Sequence, residues 1–345
     1  MPPPPPPPDA SRELVVALVG ATGLVGETML RVLEERRFPV GRLLPLASER
    51  SAGSRVRFQG REIEVAAAEP SAFEGVDLVF FAATGALSRE LAPEAVARGA
   101  VVVDKSTTWR LDPRVPLVVP EINPEALDEH EGIVACPNCT TTGVVMALEP
   151  IRRAAGLRSV VVTTLQATSG AGREGIAELE AQQEALRRGE APVAELFPGQ
   201  IAQNVLPLCE SFTDDYSSEE HKLLDETRKI LGQPELSVAM TCVRVPVPVG
   251  HSATLLVECE RPLPPEKARR ALETFPGVEV WDDPKALRFP TPRDVAGRDA
   301  VLVGRIRRDL TSDRLWLWQV GDNLRKGAAT NGVQVAEALV ARGLL

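Results

Sequence analysis

The stretch Glu13–Phe38, ELVVALVGATGLVGETMLRVLEERRF, decides the fold. Leu14 to Val19 make an unbroken apolar run of strand length, and beyond the glycines apolar residues recur at helical spacing to about Arg37. The segment therefore reads as strand, turn and amphipathic helix, the opening of a βαβ unit. Its glycines fall at Gly20, Gly23 and Gly26. This GxxGxxG spacing differs from the more frequent GxGxxG but supplies the same parts: a tight turn, a backbone that approaches a pyrophosphate closely, and a helix N-terminus aimed at its charge. Gly20, Thr22, Gly23, Leu24, Val25 and Gly26 are the candidate dinucleotide-binding residues. A plain strand-to-helix turn is the alternative.

Working outward, RLLPLASERSAG is a strand whose end should lie beside an adenosine ribose, about 20 residues beyond the glycines. Glu49 would accept from a ribose 2′-hydroxyl and favour NAD, whereas Arg50 with Ser48 and Ser51 would hold a 2′-phosphate and favour NADP. Further parallel strands are expected at VDLVFFAA and AVVVDKS, separated by a helix from about Ser88 to Arg98. The alternation predicts an α/β, doubly wound, Rossmann-type nucleotide-binding domain.

From about Leu157 the pattern changes to residue-by-residue alternation in SVVVTTLQAT, TCVRVPVPVGHSATLLVE and AVLVGRIRR, with helices near 173–188 and 219–231. This predicts an α+β domain with a mainly antiparallel sheet, to which the resemblance drawn below assigns the substrate and dimerisation roles. The last segment, DNLRKGAATNGVQVAEALVARGLL, reads as a helix burying Val333, Val335, Leu339 and Val340 on the nucleotide domain. The expected division is 13–139 with 324–345 for the nucleotide-binding domain and 140–323 for the second domain, which the resemblance drawn below makes NADP-binding and catalytic/dimerisation domains. Residues 1–12, MPPPPPPPDASR, are expected to form a disordered proline-rich tail, without the basic start and apolar core of a signal peptide.

With 345 residues the chain is long enough for two such domains. Its net charge of −9 with no basic stripe argues against a nucleic-acid partner, and no stretch approaches the ~20 uninterrupted apolar residues of a membrane span. Five cysteines, Cys136, Cys139, Cys209, Cys242 and Cys259, are an odd, scattered set that reads as thiols in a reducing cytoplasm.

CPNCTT, residues 136 to 141, admits three readings: half of a metal site, a redox pair, or a nucleophile with a bystander. A structural zinc site would need a second Cys or Cys/His pair at ligand spacing, and His130, His221 and His251 are single and dispersed, so no metal is expected. Cys139 falls where a strand gives way to the helix TTTGVVMALEPIRRAA. A helix N-terminus, with its unpaired N–H groups and positive dipole end, favours a thiolate there. Cys136 reads as a packed small hydrophobe. A thiolate beside a hydride carrier suggests thioester and thiohemiacetal chemistry, which needs a proton acceptor. His251, next to Gly250 at a break in an alternating strand, is the candidate, with a titration near neutrality.

Taken together and in order, GATGLVG, LASERSAG, PNCTT, QATSGAG, EEHK, RVPVPVGHS and DNLRKGAATN resemble the aspartate-β-semialdehyde dehydrogenase family from about Leu14 to the C-terminus. The resemblance implies that Cys139 is the nucleophile, His251 the general acid/base and Gln166 the residue that orients the acyl group. It implies that Arg244 clamps the substrate carboxylate, that Glu219 meets the substrate amino group, and that Arg110, Asn138 and Lys222 receive the departing phosphate. It favours NADP through Arg50, and places Asn323, with Ser169 and Gly170, at the nicotinamide end. The implied reaction is NADPH-dependent reduction of L-aspartyl-4-phosphate to L-aspartate 4-semialdehyde in a homodimer or dimer of dimers. Two alternatives remain: an N-acetyl-γ-glutamyl-phosphate reductase-like enzyme, whose acylated substrate nitrogen would not want Glu219, and a non-catalytic nucleotide-binding homologue. Without the resemblance, Glu219, Lys222 and Glu226 at i, i+3 and i+7 would pass for the solvated face of a helix.

Overall fold

The computed structural model describes residues 13–345; the tail expected over residues 1–12 lies outside the described residues. Two compact units result, one running through Pro137 and completed by Ala328–Leu345, the other Asn138–Gly327.

The first unit contains β1 (Leu14–Val19), α1 (Leu24–Glu35), β2 (Val40–Ala47), β3 (Arg55–Phe58), β4 (Arg61–Glu64), β5 (Ala66–Ala67), β6 (Leu78–Phe81), α2 (Gly85–Ala97), β7 (Val101–Asp104) and β8 (Ile133–Ala135). Six strands form one sheet in the order β5-β2-β1-β6-β7-β8, and all of its neighbours run parallel. Parallel strands covered on both faces need apolar residues at every position, which is why all four residues of Leu78–Phe81 are buried. The chain first builds outward from β1 through β2 to β5, then returns to β6 on the other flank of β1. The reversal puts a ligand crevice at the carboxyl ends of β1 and β6.

The glycine turn sits there. Gly20 has φ +87°, and a Cβ on it would lie 2.3 Å from the Ala82 carbonyl oxygen just past β6. A Cβ on Gly26 would lie 2.2 Å from the Gly20 oxygen, so α1 packs on its own turn too closely for any side chain. The C-terminal helix, Thr330–Ala341, belongs to this unit: Val333, Val335 and Leu339 are fully buried in the cluster with Met29, Leu33 and Phe80, and Val340 packs at its edge. Each such burial contributes roughly 1.5–3 kcal/mol.

The second unit contains α3 (Cys139–Ala155), β9 (Ser159–Gln166), α4 (Gly172–Arg187), α5 (Ser218–Leu231), β10 (Ser237–Arg244), β11 (His251–Glu258), α6 (Pro265–Glu273), β12 (Val278–Val280), α7 (Pro292–Val295), β13 (Val301–Arg308) and β14 (Leu315–Gly321). Its sheet runs β10-β9-β11-β14-β13-β12. The three inner pairings are antiparallel, while the outer pairs β10–β9 and β12–β13 are parallel, so the sheet is mixed.

The apparent single strand through TCVRVPVPVGHSATLLVE divides at residues 245–250, where Pro246 and Pro248 have no N–H to give a ladder. Its two halves, β10 and β11, lie on opposite sides of β9. Three strand ends thereby meet: Arg244 pairs in register with Gln166, and His251 opens β11 one position before Ser252, which pairs with Leu165.

Candidate active site

Cys139 is the first residue of α3, and Asn138 is its N-cap. The Asn138 side-chain oxygen accepts the backbone N–H groups of Thr140 at 2.7 Å and Thr141 at 3.3 Å, a cap that fixes where the helix begins. The Asn138 backbone N–H is itself held at 2.6 Å by the buried carboxylate of Glu226. The cysteine therefore stands on a clamped helix end.

Its Sγ lies 3.3 Å from His251 Nε2. On the other side of the ring, Nδ1 accepts the Ala167 backbone N–H at 3.0 Å. An amide N–H facing Nδ1 leaves the neutral ring's proton on Nε2, directed at the sulfur. Burial, followed by the charge of Arg244, pushes the His251 pKa well below its usual value. The titration near neutrality expected from the sequence is thus displaced to lower pH, because an imidazolium here would be dehydrated, would face a guanidinium and would set an N–H against the Ala167 N–H.

The sign of the consequence is fixed. His251 stays neutral through neutrality and gains its proton only as the pH falls below the ordinary histidine range. Turnover should therefore hold through the ordinary histidine range and fail only at lower pH, and His251→Asn should remove that acid limb. A limb centred at or above pH 6.5 that disappears in His251→Asn would contradict the assignment.

Gln166, Arg244, Glu219 and Asn138 surround this pair in the same unit. The Arg244 Nη1 donates to the Ala167 carbonyl oxygen at 2.7 Å. Gly170 packs so tightly that a Cβ would lie 2.6 Å from that nitrogen and about 3.2 Å from the His251 ring. Glu219 is buried and accepts from the Asn138 side-chain amide at 3.0 and 3.1 Å and from the Gln166 amide at 3.1 Å, and Lys222 Nζ stands 3.4 Å away. Lys222 also pairs with Glu210. The face carrying Glu219 and Glu226 is turned inward, so its carboxylates are buried and not solvated charges.

Asn323 bonds Ser169 and accepts the Gly250 N–H at 3.0 Å, tying the turn before His251 to the loop after β9. Sequence reading did not single out Thr140, whose hydroxyl meets the Gln166 amide at 2.5 Å, or the backbone of Ala167, which serves His251 and Arg244. Backbone groups leave no residue-type signal; the threonine beside the nucleophile does.

The remaining candidates belong to the first unit. Gly23 is the N-cap of α1 and no side chain caps it, so the first N–H groups of the helix, at Leu24, Val25 and Gly26, are not taken by a capping side chain. Thr22 lies within that turn, and Ser48 and Arg50 are exposed with Ser51 half-buried beyond β2. Arg110 is buried, donating to the carbonyl oxygens of Cys136 at 3.0 Å and Lys105 at 2.7 Å. Cys136 is fully buried, and burial raises its thiol pKa. The reactive-site geometry thus belongs to Cys139. Among the described residues no helix is long and apolar enough to cross a membrane.

Residues 15–130 match the semialdehyde dehydrogenase NAD-binding domain, and residues 148–326 match the semialdehyde dehydrogenase dimerisation domain. The aspartate-semialdehyde dehydrogenase of Aquifex aeolicus is 50% identical, over 96% of this chain and 99% of its own length. Aspartate semialdehyde dehydrogenase II of Vibrio cholerae, solved complexed with ASA, superposes with a TM-score of 0.93 at 45% identity, over 96% of this chain and 99% of that one. The Candida albicans enzyme, solved with NADP, gives 0.76 at 27% identity, over 97% of this chain and 100% of that one. With both halves matched and relatives aligned from end to end, the chain belongs to the aspartate-semialdehyde dehydrogenase family.

Proposed function

We propose that the protein reduces L-aspartyl-4-phosphate to L-aspartate 4-semialdehyde with NADPH, releasing phosphate, in the biosynthesis of lysine, diaminopimelate, threonine and methionine. The observation that carries this reading is the contact of Cys139 Sγ with His251 Nε2 at 3.3 Å on a capped helix end. The dipole end and the Nε2–H both favour an anionic sulfur. That thiolate attacks the acyl phosphate carbonyl, the C–O bond to phosphate breaks, and a thioester forms on Cys139.

Arg244 grips the substrate carboxylate, Glu219 takes its ammonium group, and Gln166 orients the acyl oxygen. Arg110, Asn138 and Lys222 receive the departing phosphate, as the family resemblance implies. NADPH, when bound, supplies the hydride that reduces the thioester. The Nε2–H of His251 then steadies the oxyanion until it collapses to aldehyde and returns the thiolate.

The uncapped α1 terminus and the crowded Gly20 and Gly26 suit a pyrophosphate, and the exposed Arg50 suits a 2′-phosphate. Ser169, Gly170 and Asn323 serve the nicotinamide end. Arg50→Ala should weaken NADP much more than NAD, because only NADP carries the group that a guanidinium grips. Titration of both cofactors checks this, and an equal loss for both would assign Arg50 to loop support.

The enzyme works in the cytoplasm as a homodimer or a dimer of such dimers. Aspartate semialdehyde, phosphate and NADP should give reduced cofactor at a rate that depends on all three. N-acetyl-glutamate semialdehyde should give none, since Glu219 asks for a free ammonium group.

A further inference from the structure

Glu219 does more than wait for an ammonium group. Its carboxylate touches the side chains of both residues that flank the nucleophile: the Asn138 amide at 3.0 and 3.1 Å and the Thr140 hydroxyl at 3.5 Å. It also takes one amide hydrogen of Gln166 at 3.1 Å, while that nitrogen's other bond goes to Thr140 at 2.5 Å. Lys222 adds a cation at 3.4 Å. A carboxylate offers about four lone-pair sites, and these donors fill them.

This arrangement conflicts with the chemistry beside it. An acyl phosphate attacked at Cys139 develops an oxyanion and releases a phosphate, both of which need N–H donors and neither of which tolerates an uncompensated carboxylate nearby. The side-chain amides of Asn138 and Gln166 are neutral donors, whereas an ammonium group adds the attraction of a full positive charge to its hydrogen bonds with the carboxylate. An arriving ammonium group both displaces the amides and adds to Lys222 a second positive charge against the carboxylate.

We propose that Glu219 is a specificity latch: it engages the amide donors of Asn138 and Gln166, and the substrate's ammonium group releases them to the reacting acyl phosphate. The amino group, remote from the carbon that reacts, then switches on the groups that stabilise the transition state. Discrimination against substrates lacking it acts on turnover as well as on affinity. This inference rests on the proposed reaction and deepens it.

The test compares two aldehydes in the NADP- and phosphate-dependent oxidation by the full-length enzyme: aspartate semialdehyde and succinate semialdehyde, which differ only in the amino group. Glu219→Ala should lower kcat/KM for aspartate semialdehyde and raise it for succinate semialdehyde above the wild-type value, by about tenfold, the worth of one hydrogen bond to a charged group. Glu219→Gln keeps the side chain's shape if the alanine variant does not fold, and should shift the two substrates in the same opposite directions. A residue that only contacts the ammonium group would give no gain with succinate semialdehyde. Unchanged or reduced activity with that substrate in the folded variants overturns the latch. Failure of the underlying reaction would look different, as wild-type enzyme inactive toward aspartate semialdehyde.

Discussion

Cys139→Ala abolishes turnover while NADPH binding stays nearly intact, and Cys136→Ala retains activity within about tenfold, roughly 1.4 kcal/mol of barrier. The two cysteines are three positions apart and physically unlike. Cys139 opens a helix, its sulfur against the imidazole of His251. Cys136 follows β8, is fully buried in the apolar cluster of the first unit, and has a thiol whose pKa burial raises. Removing Cys136 trims one packed sulfur; removing Cys139 leaves no atom to form the thioester. Steady-state turnover and cofactor titration on both variants separate the effects, and an inactive Cys136→Ala enzyme with sound NADPH binding would reverse the assignment.

Arg244→Lys lowers turnover of the aspartyl substrate by at least ~10²-fold, the cost of misplacing a reacting group by about 1 Å. On the proposed reading arginine divides two tasks among different nitrogens: Nη1 is anchored on the Ala167 carbonyl at 2.7 Å, and the rest of the fork meets the substrate carboxylate. Lysine has one nitrogen for both. The positive charge survives the substitution, so near-normal kcat in Arg244→Lys would show that charge alone suffices and that the planar fork is unnecessary. The same anchoring carbonyl belongs to the residue whose N–H sets the His251 tautomer, so disturbance at Arg244 should also move the acid limb of the pH profile.

The legible parts of this molecule are those in which residue type and position carry the physics alone. Leu14–Val19 and Leu78–Phe81 read as buried parallel strands because both of their faces are apolar. The glycine turn reads because a Cβ at Gly20 or Gly26 has nowhere to go. The helix opening at Cys139 reads because a short apolar strand gives way there to a run of helical spacing, and the structure adds the Asn138 cap. Other features appear only in three dimensions. The prolines and glycine of RVPVPVGHS mark a break, but nothing in them announces that β10 and β11 flank β9, the crossing that brings Arg244, Gln166 and His251 to one sheet end.

The helix bearing Glu219 and Glu226 shows the limit most clearly, since its acidic spacing fits a solvated face as well as a buried one. Only packing against the start of α3 turns those carboxylates inward, where they meet Asn138. The lowered pKa of His251 has the same origin: it comes from burial and from Arg244, neither of which is a property of the histidine's neighbours in sequence.

If the acyl group passes through a thioester on Cys139, omission of phosphate should trap it there. Mixing the enzyme with aspartate semialdehyde and NADP, but no phosphate, should release a burst of one reduced cofactor per active subunit and then stall. Mass analysis of the stalled enzyme should find the aspartyl group on the peptide carrying Cys139, and added phosphate should discharge it and restore steady turnover. A reduced-cofactor signal without a burst, an acyl group on Cys136, or no covalent adduct while phosphate-dependent turnover proceeds would rule out a thioester on Cys139.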